Sequence, residues 1–142
     1  MSKHINTLRA IIDAWARQDV EGLVKHLHED VTWNNSGGFR KPLKGREAMR
    51  RALERMKDQI EESKWCLYGW AEVGDTVWME GADEFIRKDG IRIAVPYAGV
   101  LEFEGDVVKH WREYFDGRLQ EQQLAGEPVS EYVEAMLDRP KA

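Results

Sequence analysis

Three short turn signals cut the second half of the chain into four β-forming runs, and that division most narrows the folds open to it. Gly74-Asp75, Lys88-Asp89-Gly90 and Gly105-Asp106 separate KWCLYGWAEV, TVWMEGADEFIR, IRIAVPYAGVLEFE and VVKHWREYFD. Tight turns of the Asp-Gly kind join antiparallel neighbours, so the runs predict consecutive antiparallel strands. In the third run Ile91, Ile93, Val95, Tyr97, Leu101 and Phe103 share one parity and Arg92, Glu102 and Glu104 the other, which gives that strand one apolar face. Pro96 and Gly99 inside it mark an edge, a bulge or a bend, as a strongly curved sheet requires.

The last run carries the most informative alternation. Successive strand side chains point to opposite faces, so Trp111, Glu113 and Phe115 share one side while His110, Arg112 and Tyr114 share the other. One face therefore sets a carboxyl group between two aromatic rings. Turned inward, Glu113 sits among apolar walls, where burial disfavours its charged form, raises its pKa and poises it for proton transfer. Turned outward, it is a solvated or arginine-paired carboxylate with no chemistry. The strand alone leaves both open.

The first half of the chain reads as helical. Ile5, Leu8, Ile11, Ile12 and Trp15 recur at helical spacing, and Leu23, Val24 and Leu27 predict a second, shorter helix ending around His28-Glu29-Asp30. VTWNN is a strand signal that breaks at Asn35-Ser36-Gly37-Gly38. After a loop from Pro42 to Gly45, Met49, Ala52, Leu53, Met56 and Ile60 mark the apolar face of a third helix, opposite Arg50, Arg51, Arg55 and Lys57. Val129, Tyr132, Val133, Met136 and Leu137 predict a final short helix. Helices followed by antiparallel strands give an α+β layout: one strongly curved mixed or antiparallel sheet wrapped around N-terminal helices, a cystatin-like α+β barrel enclosing a conical cavity. At 142 residues, 1–142 is read as one domain.

Composition removes several function classes. A net charge of -5 and a pI near 5.4 argue against a nucleic-acid partner, which calls for a basic face. The single Cys66 excludes an internal disulfide framework and thiolate metal clusters. His26 and His28 lie beside Glu29 and Asp30, but a spacing of two on a helix points the rings apart, so no metal site is expected. No run is long enough to cross a bilayer and the N-terminus lacks an apolar signal core, so a cytoplasmic protein without a membrane partner is expected. There is no phosphate-binding glycine loop and no serine or cysteine nucleophile motif, so no cofactor is expected. Six tryptophans point to a wide apolar interior; Trp15, Trp33, Trp65, Trp70 and Trp78 either wall a cavity or fill the core.

The order of elements, with an early WNN strand, a helix opening in GREAMR and a closing WREYFD, resembles the nuclear transport factor 2-like fold. Within it the chain is most similar to limonene-1,2-epoxide hydrolases and SnoaL-type polyketide cyclases. The resemblance implies catalytic roles for Glu113, which stands where those hydrolases carry a water-activating aspartate, for Asp83 as proton donor, and for Asn34 in holding the water. Thr32 falls where the family has a tyrosine, and Gly81 where it has an arginine, so the pocket is expected to be wider there. Trp15, Thr32, Trp33, Tyr97, Trp111 and Phe115 are the implied substrate-binding residues, Tyr97 as a phenol donor. The implied function is cofactor-independent general acid–base catalysis on a small hydrophobic, cyclic or aromatic substrate: epoxide hydrolysis, cyclisation, isomerisation or lyase chemistry. A non-catalytic ligand-binding or dimerisation module of the same fold is the alternative. A homodimer through the outer sheet face, with Tyr68 and Tyr114 on it, is also implied.

Overall fold

The structure, a computed structural model, describes residues 3–35, 37–38 and 40–142. Helix α1 spans Lys3–Ala16 and α2 Val20–Val24, followed by strands β1 (Leu27–Asn34) and β2 (Leu43–Lys44). Helix α3 (Arg46–Gln59) leads directly into the long strands β3 (Ile60–Val73), β4 (Thr76–Arg87), β5 (Arg92–Glu104) and β6 (Val107–Tyr114). Helices α4 (Gly117–Leu124) and α5 (Glu131–Leu137) close the chain. The expected α+β layout is present. Six strands form one mixed sheet in the order β2-β1-β6-β5-β4-β3, antiparallel throughout except where β1 runs parallel to β6. β2 and β3 remain open edges, so helices rather than strand pairing complete the cone.

Local chemistry accounts for the elements. In α1 the buried stripe Ile5, Leu8, Ile11 and Trp15 packs on the sheet while Lys3, Asn6, Arg9 and Asp13 stay exposed. Asp19 caps α2 by accepting a hydrogen bond from the Gly22 amide at 2.9 Å. The expected extension of α2 to His28-Glu29-Asp30 is corrected: Leu27 opens β1 instead. Leu27, Val31 and Trp33 are buried, and the β-forming sequence after Asp30 pulls the chain into the sheet. His28 thus lies on a strand, 2.6 Å from Glu104. Ile60, expected on α3, takes extended dihedrals and starts β3, still buried.

Two segments were not anticipated, β2 and α4. Asp116 caps α4 through the Arg118 amide at 2.9 Å. The buried Gln123 of α4 then accepts from the Ala94 amide at 2.8 Å and donates to the Ala94 carbonyl at 3.0 Å. At the C-terminus, Tyr68 donates to the Leu137 carbonyl at 3.2 Å, the Arg139 guanidinium lies over the Tyr68 ring at 4.3 Å, and the Ala142 amide bonds the Leu67 carbonyl. Tyr68 is therefore covered by its own chain, whereas Tyr114 is exposed. Among the described residues no helix is long and apolar enough to cross a membrane.

Candidate active site

A cavity of about 300 Å³ lies between the concave face of the sheet and the helices. Its walls include Trp15, Leu23, Trp33, Leu53, Met56, Trp65, Phe85, Ile93, Val95, Trp111 and Phe115, with polar Asn35, Arg40, Gln59, Arg87 and Gln120 also in the lining. Set among them are Asp83, Tyr97 and Glu113.

Sheet register sets these three on one face, with Tyr97 two residues along β5 from the partners of both Asp83 and Glu113. On the concave face Trp65 of β3, Asp83 of β4 and Val95 of β5 form one row, and Leu67, Gly81 and Tyr97 form the next. Gly99 of β5 pairs with Glu113 of β6, and Leu101 with Trp111, which in turn pairs with Trp33 of β1. Trp111, Glu113 and Phe115 thus share the inner side, as their alternation predicts. Arg112 and His110 face away: Arg112 pairs with Glu102, and His110 Nδ1 lies 2.7 Å from Thr32 Oγ1.

That contact corrects two expectations. Thr32 pairs with His110 and Asn34 with Arg112, so both stand on the side of β1 away from the cavity, while Trp33 and Asn35 line it. An inward pair two residues apart does exist, Trp33 on β1 and Asn35 just after its end. It falls one position later than the resemblance suggested, with an indole in place of the hydroxyl and Asn35 as the amide. Trp70 and Trp78 are likewise not in the lining and are 38% and 51% exposed. Trp15, Trp33, Trp65 and Trp111 are the wall tryptophans. The Trp33 Nε1 hydrogen is buried without a protein partner.

Among the described residues neither carboxyl is held in an ion pair, although Arg40 and Arg87 line the same cavity. Arg87 turns to Asp89 and Arg112 to Glu102, so neither neutralises Asp83. Burial pushes the Asp83 carboxyl up to about 6. Glu113 rises to about 7, first through burial and then through the charge of Asp83, against the Trp111 indole, which donates to Glu113 Oε1 at 2.7 Å. Part of each group's surface remains accessible, and both border the cavity. One pKa unit is about 1.4 kcal/mol. The two single-proton arrangements therefore lie close in energy, and near neutral pH one carboxyl can donate while the other accepts.

Gly81 does not widen the pocket. A Cβ there would run into the Cys66 carbonyl and lie 2.7 Å from the Tyr97 hydroxyl, so the phenol already occupies the space in front of it. Tyr97 Oη accepts a hydrogen bond from the Trp65 indole N–H and lies 3.7 Å from Met79 Sδ. Its pKa is driven upward, chiefly by burial and also by the charges of Glu113 and Asp83, so it stays a neutral donor. Among the described residues no group of three His, Cys, Asp or Glu side chains is placed to hold a metal ion.

An open, curved α+β sheet over helices, with an apolar cavity at its concave face, defines the nuclear transport factor 2-like cone fold. Residues 8–117 match the SnoaL-like domain family, and the chain belongs to it. No curated protein matches. Three solved structures share the fold at low identity. A limonene-epoxide-hydrolase-like (LEH-like) epoxide hydrolase of Mycobacterium tuberculosis is 21% identical, with a TM-score of 0.76 over 87% of this chain and 90% of its own. A candidate SnoaL-like polyketide cyclase of Shewanella denitrificans OS-217 is 17% identical, with a TM-score of 0.78 over 87% and 98%. TerC, co-crystallised with polyporic acid, is 17% identical, with a TM-score of 0.77 over 88% and 100%.

Proposed function

We propose that the chain, as one domain, is a cofactor-independent acid–base enzyme acting on a small hydrophobic, cyclic or aromatic substrate. The observation that carries this is the pair Asp83 and Glu113, both raised toward neutrality in one largely apolar cavity with no ion pair to either among the described residues. The epoxide hydrolase and cyclase names among its structural neighbours support that class of chemistry, either opening an epoxide with water or moving a proton in cyclisation, isomerisation or bond cleavage. A panel of epoxides and ketones tests it. With a turned-over substrate, kcat/KM follows a bell with limbs near pH 6 and pH 7. Glu113→Gln and Asp83→Asn each lower it about 100-fold or more. Turnover that neither change affects rules the pair out.

The second reading is a module that binds a ligand without converting it. It is favoured by Gly81 and the phenol that fills its place, which leave no cation at that position. Tight binding across the panel with no product from any member would establish it. The cellular setting proposed is a cytoplasmic homodimer using the exposed Tyr114 side of the sheet; a monomeric mass in solution excludes the dimer.

A further inference from the structure

The mouth of the cavity is charged opposite to its interior. Asp83 and Glu113 lie among buried aromatic walls, whereas the lining residues that reach solvent include exposed Arg40 and Gln59 and half-buried Arg87 and Gln120. Asp83, Phe85 and Arg87 alternate down one side of β4, and all three line the cavity. Four strand positions separate the first from the last, a rise of about 13 Å that sets Arg87 toward the outer end. Among the described residues no other carboxylate lines the cavity, and in a chain of net charge -5 both charged groups at its mouth are cations. Neither acts on the acids: burial alone raises Asp83, and Glu113 responds to burial, Asp83 and Trp111. Among the described residues Arg40 has no ionic partner, and Arg87 has only Asp89, 3.2 Å away. That pair is open to water, with side chains 27% and 48% exposed, and such pairs yield readily to a competing anion. Asp89 is held independently by the Ile91 amide at 3.1 Å.

We infer that the cavity takes an amphipathic acid, with an apolar ring body beside Asp83 and Glu113 and a carboxylate at the mouth held by Arg40 and Arg87. The inference rests on this cavity being the substrate site proposed above, but not on the chemistry there. Orientation follows from charge. A carboxylate carried inward would lose its water and face the acid pair. At the mouth it keeps part of its hydration and meets two guanidiniums, whose planar forks suit a carboxylate. The rise of about 13 Å along β4 then sets the length of the molecule: one ring bearing a short acidic chain reaches from the acids to the arginines. A wholly apolar ligand would leave both guanidiniums unused, so the substrate class narrows from hydrophobic to amphipathic.

The test compares cyclohexanebutyrate with cyclohexanebutyramide, two ligands of one shape that differ in charge, by calorimetric titration at neutral pH and low salt. The acid is expected to bind about tenfold tighter than the amide. The preference shrinks to about threefold or less in roughly 0.5 M salt. Arg40→Gln and Arg87→Gln each reduce it and the double variant abolishes it, while amide affinity stays within about twofold and reports an intact cavity. Arg51 is an exposed residue of α3 outside the lining, and Arg51→Gln leaves the preference unchanged, which separates the mouth from net charge. Equal affinity for acid and amide in the parent protein overturns the inference without any variant. A preference that survives the double variant, or that Arg51→Gln lowers as much, overturns it too. Neither ligand carries an epoxide or a ketone, so D83N and E113Q proteins that keep full activity on other substrates would sink the acid–base reading and leave these binding results standing.

Discussion

Glu113 and Asp83 differ in one contact that decides how each responds to its surroundings. The Trp111 N–H stabilises charge on Glu113, whereas burial alone acts on Asp83. Removing Asp83 charge with Asp83→Asn is expected to bring the Glu113 midpoint below about 7, yet leave it above the ordinary 4.5 because burial persists. Trp111→Phe is expected to move it upward, since the indole N–H that favours the carboxylate is gone. Carboxyl-carbon NMR titration of Glu113 reads both shifts. A midpoint indifferent to Asp83→Asn would show that the two groups do not sense each other, and the proton-sharing pair would fall. Tyr97 belongs to the same scale: the phenol fills the space before Gly81 with a neutral donor, which leaves both carboxyls raised instead of clamped low by a cation.

At the scale of elements, α4 does work that strands do elsewhere in the sheet. β6 stops at Tyr114, paired with Ala98, so the edge of β5 beyond that point has no strand beside it. Gln123 takes the place of a strand by closing both backbone groups of Ala94, and α4 also sets Gln120 and Leu124 in the cavity lining. Gln123→Leu strands a buried amide and a buried carbonyl and is expected to cost about 2–4 kcal/mol. Denaturant unfolding should show the loss, and hydrogen exchange should speed at Ala94 while the β3–β4 pairing stays protected; an unchanged midpoint would deny α4 that role. This helix was hidden in the sequence because its stabilising partner is a backbone edge far along the chain, invisible to periodicity. The strands of the meander were legible because their turns are local. The face of β6 was legible too, since Trp111, Glu113 and Phe115 alternate with charged residues. At the end of β1 the two neighbouring asparagines offer one amide to each face, and only the pairing of Trp33 with Trp111 decides that Asn35, just past the strand, is the inner one. Leu27 fits a helix or a strand equally well, which is why the end of α2 was misplaced.

For the whole molecule, the cavity and its acids impose a stability that depends on pH in a definable window. A carboxyl whose folded pKa is raised binds a proton more tightly in the native state than in the unfolded chain, so its contribution is present below the unfolded value and is lost as pH rises through the folded one. For Asp83 that interval runs from 3.8 to about 6, and for Glu113 from 4.5 to about 7. The exposed carboxylates Glu47, Asp89 and Asp116 are held low by hydrogen bonds from arginines or backbone amides, so they act in the opposite sense and at lower pH. The native state is therefore expected to lose about 2–4 kcal/mol between pH 4 and pH 8, an amount reduced from the full shifts because both groups keep some access to the cavity. Asp83→Asn or Glu113→Gln should each remove roughly half of that slope and leave the protein more stable than the parent at pH 8, even as activity is lost. Urea midpoints across this range, for the parent and both variants, give the comparison directly. If the parent were flat from pH 4 to 8, or if the variants were the less stable proteins at pH 8, the two carboxyls would not be carrying charge into an apolar interior, and the chemistry assigned to the cavity would have no source.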